Sequence, residues 1–548
     1  MEESARREGI PGGSAASSPP RSLLSVAGLV AGATLLSKGM GFVRQALIAA
    51  VYGSGPEYSA FSIAYVLPGF LLILLGGING PFHSAIVSVL KKQQPGREDP
   101  ARWLESISTL VGCLLLAVTL GLWWGADWVV HLSAPGASPE VHVLAAQQLR
   151  IMAPLALLSG WIGIGFGALN AAEHYLLPAL SPLISSLAVI GILVTLGWTG
   201  IPTLLAWGVL IGAIAQWLAQ VPLQMRLGLG RLRLRFDWGS PPVRAVGLLL
   251  LPAVVSSGMI HINVYVDLFF ASFVPGDRTI GNLGYAQLLV QTPLGILSNM
   301  VLVPLMPLYA QLAGDGSRWL ELRQRIRQGL MVTAILTLPL AMLLVALAEP
   351  IVQIAYQRGR FTPEVTQEVA ALLRAYGLGI SFYLLRDVLV RIFYALEDGA
   401  TPLRISGLSI GLNALLDFLF LPTFGAPGIA LATAGVNLMA LIGLGIRLHQ
   451  RLPGIPWREM GQALLPLLGI TTLAGGLSHW LWTQLHSHEI LGSPLLTAVL
   501  GASLAAGLGL SLFAAGALYL QIPEVEWLAV QLQARLPKIA SRRSLPRS

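Results

Sequence analysis

Long apolar runs recur along this chain, and their length limits what the chain can fold into. Windows of about twenty apolar residues, separated by charge clusters and Gly/Pro turns, predict fourteen helices. A helix of that length crosses the ~30 Å hydrocarbon core of a bilayer with its backbone polar groups paired internally. We therefore predict an all-α polytopic membrane protein. The predicted helices lie near residues 23–52, 59–90, 103–130, 141–170, 176–198, 203–224, 245–274, 282–313, 329–356, 365–395, 401–421, 427–446, 459–484 and 493–521.

The composition agrees with a chain built for a bilayer. Of its 548 residues, 55% are hydrophobic and only 11% charged, whereas soluble domains carry about 25% charged residues. Residues 1–21 are polar and rich in Gly, Ser and Pro, which predicts a disordered tail and not a cleaved signal peptide. Cys113 is the single cysteine, so no internal disulfide can form.

The positions of Lys and Arg predict the orientation. Of the 34 such residues, 25 fall in segments on the side of the N-terminus, six within helices, and three on the other side, namely Arg278, Arg358 and Arg360. This asymmetry places both termini in the cytoplasm. It also accounts for the net charge of +8, so we do not expect a nucleic-acid partner.

The chain also contains an internal repeat. SPEVHVLAAQQLR (138–150) aligns with TPEVTQEVAALLR (362–374) without a gap. Residue 138 pairs with residue 362 and residue 150 with residue 374, and we call this constant separation along the chain the repeat offset. The two segments are six crossings apart, so the repeats run parallel and predict two pseudo-symmetric six-helix lobes around a central cavity. The predicted divisions are a tail (1–21), an N-lobe (22–226), an interlobe linker (227–244), a C-lobe (245–450), two C-terminal helices (451–521) and a basic cytoplasmic tail (522–548).

The first predicted helix carries charge at membrane depth. Lys38, Arg44 and Gln45 share one face, and each cation near the bilayer centre costs roughly 2.5 to 3.5 kcal/mol on insertion scales. Either these cations snorkel or pair structurally, or they line the central cavity, where they would bind an anionic group. Their depth favours the cavity. The next helix is punctuated by residues that permit bending and predict a hinge: Pro68, Gly76, Gly77, Gly80 and Pro81.

A second polar group lies in the C-lobe. Asn413 and Asp417 are four residues apart and share a helical face, while Asp267 and Thr433 come from two other helices. Carboxylate, amide and hydroxyl oxygens are hard ligands that suit a small cation. The alternative is that Asp417 is protonated or hydrogen-bonded internally.

Four segments share their patterns with one known family. They are LLSKGMGFVRQALIAAVYGSG (35–55), AFSIAYVLPGF (60–70), YAQLLVQTPLGILSNMVLVPLMPLYAQ (285–311) and FYALEDGATPLRIS (393–406). Together they resemble the MurJ/MviN lipid II flippases of the MOP exporter superfamily, over residues 22 to about 520. The resemblance implies transport of an undecaprenyl-pyrophosphate-linked precursor across the bacterial inner membrane for peptidoglycan synthesis, with the last two helices as a groove for the lipid tail. Lys38 and Arg44 match the family's first-helix cations.

The resemblance also implies sodium as a coupling ion and no other cofactor. Some members place a sodium site on these helices with the same Asn and Asp spacing and a Thr sixteen residues after the Asp, as from Asp417 to Thr433. Ile429 would then lend its carbonyl. Membrane lipids and cell-wall synthesis proteins are the further partners to expect.

The chain departs from the family pattern at several cationic positions. The expected arginines stand as Leu72, Ile73 and Leu288. Arg386 and Arg391 could supply replacement charge, although Arg386 could equally pair with Asp387. The alternative functions are export of another lipid-linked oligosaccharide and cation-coupled multidrug export. No Gly-rich phosphate loop, zinc-ligand spacing or nucleophile elbow is evident in the sequence, so we expect a transporter and not an enzyme.

Overall fold

The computed structural model describes residues 23–77, 81–92, 100–230, 233–237, 239, 241–314, 316–487 and 493–535. Apart from two short 3₁₀ turns, the regular structure of these residues is α-helical. The helices are α1 (Leu23–Tyr52), α2 (Pro56–Gly76), α3 (Pro81–Lys92), α4 (Pro100–Trp124), α5 (Ala126–Ser133), α6 (Pro139–Met152), α7 (Leu155–Ala171), α8 (Leu176–Leu196), α9 (Leu204–Arg226), α10 (Pro241–Ala271), α11 (Arg278–Ala313), α12 (Trp319–Ala346), α13 (Ala348–Tyr356), α14 (Pro363–Ala395), α15 (Ala400–Phe424), α16 (Ala426–Arg451), α17 (Trp457–Ser487), α18 (Pro494–Tyr519) and α19 (Pro523–Arg535).

The all-α membrane class predicted from the sequence is confirmed. Within the described residues, twelve helical segments are long and apolar enough to cross a bilayer. Helices α1 and α10 occupy the two remaining predicted positions without being among those twelve. The count of fourteen crossings therefore stays a prediction.

Several predicted helices are each divided in two by short breaks. Gly125 separates α4 from α5, and Leu347 separates α12 from α13. Pro154 stands between α6 and α7, where it lacks the backbone N–H that would continue the helix. Helix α19 begins at Pro523, inside the segment predicted as a tail, and Glu524 forms an ion pair with Arg327 of α12 at 3.1 Å.

The predicted repeat is visible in the backbone. Glu173 after α7 and Glu397 after α14 are separated by the repeat offset, and both have left-handed φ values, 62° and 57°. The same backbone hydrogen bonds close both helix ends, in the pattern of a Schellman motif. A left-handed non-glycine residue is uncommon, so its recurrence at this offset identifies the two turns as equivalent parts of the two lobes.

An ion pair is repeated as well. Arg150 of α6 contacts Asp127 of α5 with a nitrogen–oxygen distance of 2.5 Å. Arg374 of α14 contacts Glu349 of α13 at 3.9 Å. Together with Arg386, which lies 3.6 Å from Asp387 Oδ1, three of the six cations within predicted helices are thus paired with carboxylates of their own lobe.

The predicted hinge coincides with the gap between α2 and α3. Helix α2 contains Pro68 and ends at Gly76, Gly77 is extended (ψ 148°), and α3 begins at Pro81. Gly80 lies outside the described residues. Near its end, α2 packs so closely on α7 that a β-carbon on Gly163 of α7 would clash with the Leu75 carbonyl oxygen of α2. Bending at this place stays a prediction.

Direct hydrogen bonds between the lobes gather at one end, which we call the closed end; toward the other end α10 packs on α3 of the N-lobe, where Val243 and Val246 join the cluster of Phe82 and Ile86. The closed end carries the turns at 53–55, 134–138, 272–277 and 357–362. Tyr285 Oη donates to Gly53 O at 2.8 Å, and Arg360 N donates to Ala50 O at 2.9 Å. Further hydrogen bonds between the lobes link Ser59 Oγ to Asp277 O, Ser138 N to Asp277 Oδ1, Gly136 N to Ser272 Oγ, and Ser54 Oγ to Asn282 Oδ1.

Candidate functional site: the interlobe cavity and its acidic cluster

A cavity of about 340 Å³ lies between the lobes beside the closed end. Helices α1, α2, α10 and α11 supply most of its wall. Its lining is mainly aromatic and apolar, with the charged side chains Arg44 and Asp267 on it. We call this space the interlobe cavity.

Helix α1 contributes cationic and polar groups to this cavity. Arg44 and Gln45 both line it. Gln45 Nε2 donates to Tyr58 Oη at 2.6 Å. The Nε atom of Arg44 is buried and has no hydrogen-bond partner within the described chain, so this guanidinium has unused donor capacity.

Lys38 lies at the edge of the interlobe space and not on the cavity wall. Its Nζ atom is 3.6 Å from the place that a β-carbon on Gly295 would occupy. Lys38 therefore reaches across from α1 to α11 of the other lobe. It stands six residues before Arg44, about 9 Å along the helix axis.

Arg386 and Arg391 of α14, which the sequence suggested as replacement charge, do not line the interlobe cavity. Arg386 donates from Nη1 to Asn437 Oδ1 at 2.9 Å, lies 3.6 Å from Asp387 Oδ1, and stacks on the Tyr383 ring at 4.7 Å. These contacts agree with the structural alternative for Arg386. Arg391 Nε is buried without a hydrogen-bond partner in the described residues.

The predicted cation donors are brought together from α10, α15 and α16. Asn413 Nδ2 donates to Asp267 Oδ1 at 2.7 Å and to Asp417 Oδ2 at 3.0 Å. Thr433 Oγ1 donates to Asp267 Oδ2 at 3.3 Å and to Ile429 O at 3.2 Å. We call these five residues the acidic cluster.

The acidic cluster fits a small, hard cation. Asp267, Asn413 and Asp417 are at most 4% exposed. Asn413 Oδ1 and Asp417 Oδ1 are buried with no hydrogen-bond partner in the part of the chain that is described. Buried polar atoms are normally paired, so two unused oxygen acceptors in a cluster with two carboxylates have spare capacity for a positively charged ligand that prefers oxygen donors.

Asp267 connects the two parts of the site. One face of this residue lines the interlobe cavity, and its carboxylate accepts the hydrogen bonds of Asn413 and Thr433. A change of charge in the acidic cluster would therefore be felt in the same cavity that holds Arg44, because charges interact strongly in a low-dielectric interior.

Two of the positions where the chain departs from the family pattern lie on this cavity. Ile73 and Leu288 line it, whereas Leu72 does not. Apolar side chains thus occupy wall positions where the resemblance leads one to expect arginine, and the cavity of this chain is correspondingly less basic.

The sequence did not predict roles for Asn437 or for the cluster of Tyr58, Tyr285 and Tyr356. Asn437 donates from Nδ2 to Thr433 O at 2.8 Å and accepts from Arg386, so it joins the acidic cluster to α14. Its position four residues after Thr433 is a signal that could have found it. Beside the closed end, the ring of Tyr285 stacks on that of Tyr58 with 4.4 Å between ring centroids, and its centroid lies 5.0 Å from that of Tyr356. No spacing in the sequence pointed to this tyrosine cluster.

Comparison with known proteins supports this architecture. The family described as "Lipid II flippase MurJ" matches residues 48–500. A relative from Synechocystis sp., named "Probable lipid II flippase MurJ", is 47% identical over 535 residues and covers 95% of this chain and 98% of its own. A Burkholderia cenocepacia protein named "Lipid II flippase MurJ" is 29% identical over 507 residues, covering 88% and 94%.

Solved structures show the same fold. A structure titled "Lipid II flippase MurJ, inward closed conformation" matches with a TM-score of 0.71 and 22% identity, covering 88% of this chain and 98% of that one. An inward-facing multidrug resistance MATE transporter of the MOP superfamily matches with a TM-score of 0.60 and 15% identity, covering 77% and 94%. The fold is therefore that of the MOP-superfamily transporters.

Within that class, the chain belongs to the MurJ lipid II flippase family. Its members are membrane transporters and not enzymes, and the expectation from the sequence resemblance is confirmed at the level of family and fold.

Proposed function

We propose that this protein carries lipid II from the cytoplasmic to the periplasmic leaflet by alternating exposure of the interlobe cavity. The observation that carries the proposal is the guanidinium of Arg44, which lines a cavity between two lobes and has a buried Nε with unused donor capacity. The Synechocystis relative named as a probable lipid II flippase covers 95% of this chain.

The Lys/Arg asymmetry supports an orientation with both termini in the cytoplasm. In that orientation the closed end would face the periplasm, and the interlobe cavity would serve the inward-facing half of the cycle. Export then requires the closed-end hydrogen bonds, such as that from Tyr285 to Gly53, to separate. The end of α2, at Gly76 and Gly77, is the place where bending would be absorbed.

The cargo's pyrophosphate is the group that Lys38 and Arg44 would bind. Charge-assisted hydrogen bonds to an anion are about twice as strong as neutral ones, and the apolar wall of the cavity strengthens them further. Lys38 lies near Gly295 of α11, and in the proposed route the headgroup would pass between α1 and α11 while its lipid tail stays in the bilayer. Helices α17 and α18 are the proposed path for the tail.

The acidic cluster would return the empty protein to its starting state. Asp267, Asn413, Asp417, the Ile429 carbonyl and Thr433 would hold a sodium ion, whose single positive charge would offset one of the two buried carboxylates. Outward movement of an anionic headgroup and inward movement of a cation are both favoured by an interior-negative potential, at about 2.3 kcal/mol per charge per 100 mV.

The test is the accessibility of lipid II at the outer leaflet of a flippase-depleted bacterial strain. The wild-type chain should restore both growth and outer-leaflet lipid II, and Arg44→Ala should restore neither at matched expression. Arg150→Ala is the control, because Arg150 is paired with Asp127 away from the cavity. Restoration by Arg44→Ala equal to wild type would overturn the assignment of this residue.

One observation favours a cargo other than lipid II. Ile73 and Leu288 make the cavity less basic than the family pattern, which would suit a less anionic lipid-linked oligosaccharide or a drug. If the wild-type chain fails to restore outer-leaflet lipid II but raises the drug resistance of an exporter-deficient strain, this alternative replaces the first.

A further inference from the structure

A second cavity lies within the N-lobe, away from the interlobe cavity. Its volume is about 410 Å³, and it is bounded by α4, α7 and α9. The chain that follows α9, described at 227–230 and 233–237, passes over one end of it. We call this connection the strap and the space the strap cavity.

The strap cavity is polar at one end and apolar at the other. Near the strap it is lined by Glu105, Gln224 and Arg233. Deeper in the lobe it is lined by Leu116 and by Trp161. From Leu104 to Leu116 the lining follows α4 for twelve residues, about 18 Å, which is close to half the hydrocarbon thickness of a bilayer.

Among the described residues of the strap, Arg235 is engaged in an ion pair and Arg233 is not. Arg235 Nε lies 3.6 Å from Glu105 Oε2, and Arg235 N donates to Thr109 Oγ1 at 3.0 Å. The buried Glu105 carboxylate is thereby offset, and the strap is fixed to α4. Arg233 lines the mouth with an exposed side chain, and no ion pair engages it among the residues described.

The C-lobe has a cavity in the equivalent place. It has a volume of about 540 Å³ and is lined by residues of α12, α14, α16 and α17. Leu385 and Leu441 line it, and the repeat offset relates them to Trp161 and Trp217 of the strap cavity. The same position in both repeats is therefore an apolar space at the same end of its lobe. In the C-lobe, α17 covers the place that the strap covers in the N-lobe.

We propose that the strap cavity binds a glycerophospholipid, with one acyl chain between α4, α7 and α9 and its phosphate on Arg233. The apolar depth matches a chain confined to one leaflet, and the free guanidinium at the mouth matches the charge of the headgroup. Leu116, Met225 and Leu234 line the cavity and are exposed, so a lipid can enter sideways from the bilayer. The site does not depend on the cargo proposed above.

The test uses a phosphatidylglycerol with a diazirine midway along one acyl chain, as a minority component of phosphatidylcholine vesicles containing the full-length protein. After illumination, adducts are mapped by mass spectrometry. We expect adducts on Cys113 and Trp161, which line the cavity, in excess of those on Leu114, which is 66% exposed on the outer face of α4.

Two arginine variants identify the headgroup contact. Arg233→Gln should lower the cavity adducts about threefold to fivefold, as expected of one partly exposed charge contact, and leave the Leu114 adducts unchanged. Arg226→Gln is the matched control, because Arg226 is exposed on the same end of the lobe but does not line the cavity. The proposal is overturned if Cys113 and Trp161 are labelled no more than Leu114, or if the two variants behave alike.

Discussion

Sodium-dependent stability is the sharpest consequence of the acidic cluster. Asp417→Asn removes one negative charge while keeping a side chain of the same shape, so Asn413 Nδ2, now 3.0 Å from Asp417 Oδ2, still finds an acceptor. The variant should therefore fold. What it loses is the second carboxylate of the donor set.

The size of the stabilisation by sodium follows from the linkage between ion binding and folding. At a sodium concentration a hundred times the dissociation constant, a site formed only in the folded protein stabilises it by about 2.7 kcal/mol. At roughly 2 to 4 °C per kcal/mol for a domain of about 200 residues, the wild-type melting temperature should rise by about 5 to 10 °C. In Asp417→Asn the rise should be nearly absent.

The assay is thermal unfolding of purified protein in sodium chloride against choline chloride at equal ionic strength. Asp127→Asn is the control, since Asp127 is paired with Arg150 outside the cluster, and its sodium response should equal that of wild type. A full sodium response in Asp417→Asn, or none in the wild type, would refute the cation site.

Three further predictions concern the scaffold around the site. Glu173→Gly and Glu397→Gly should each raise stability by up to about 1 kcal/mol, since both residues are exposed and left-handed; unchanged melting temperatures would contradict this reading. Asn437→Leu should lower stability by about 1 to 3 kcal/mol, because it leaves Arg386 Nη1 without its acceptor; Asn437→Asp, which keeps an acceptor, should be milder. Hydrogen bonds from Thr401, chiefly from its backbone N–H, and the Arg451 guanidinium lower the pKa of Asp398. The stability it contributes is present above its unfolded pKa of about 3.9 and is lost as the pH falls through the lower folded value; Asp398→Asn should remove that part of the acid sensitivity, and an identical acid-unfolding curve would refute it.

Much of the fold could be predicted because hydropathy and repetition are properties of the sequence itself. Bilayer-length runs predict helices, and the repeat offset predicts two equivalent lobes, now visible in the left-handed turns at Glu173 and Glu397. The breaks at Gly125 and Leu347 could not be predicted, because a short interruption leaves the hydropathy of a run unchanged. Helix α19 could not be predicted either, but for another reason: its position depends on contacts with α12, such as the ion pair between Glu524 and Arg327.

The candidate site could be predicted where it depended on the spacing of residues along one helix. It could not be predicted where it depended on contacts with side chains of other helices. Asn413 and Asp417 share a face by their separation of four, and the structure places Asp267 against them. Arg386 remained ambiguous because its partner Asn437 lies on another helix. Whether a membrane cation faces a cavity or a carboxylate is decided by tertiary contacts, as the contrast between Arg44 and Arg150 illustrates.

The central claim is that Arg44 recognises the pyrophosphate of the cargo, and binding of lipid II to the purified protein tests it most directly. A lost charge-assisted hydrogen bond is worth about 1.5 to 3 kcal/mol, so Arg44→Ala should weaken binding by about tenfold to a hundredfold. Arg150→Ala should bind as the wild type does. Equal affinity of Arg44→Ala and wild type for lipid II would contradict the account.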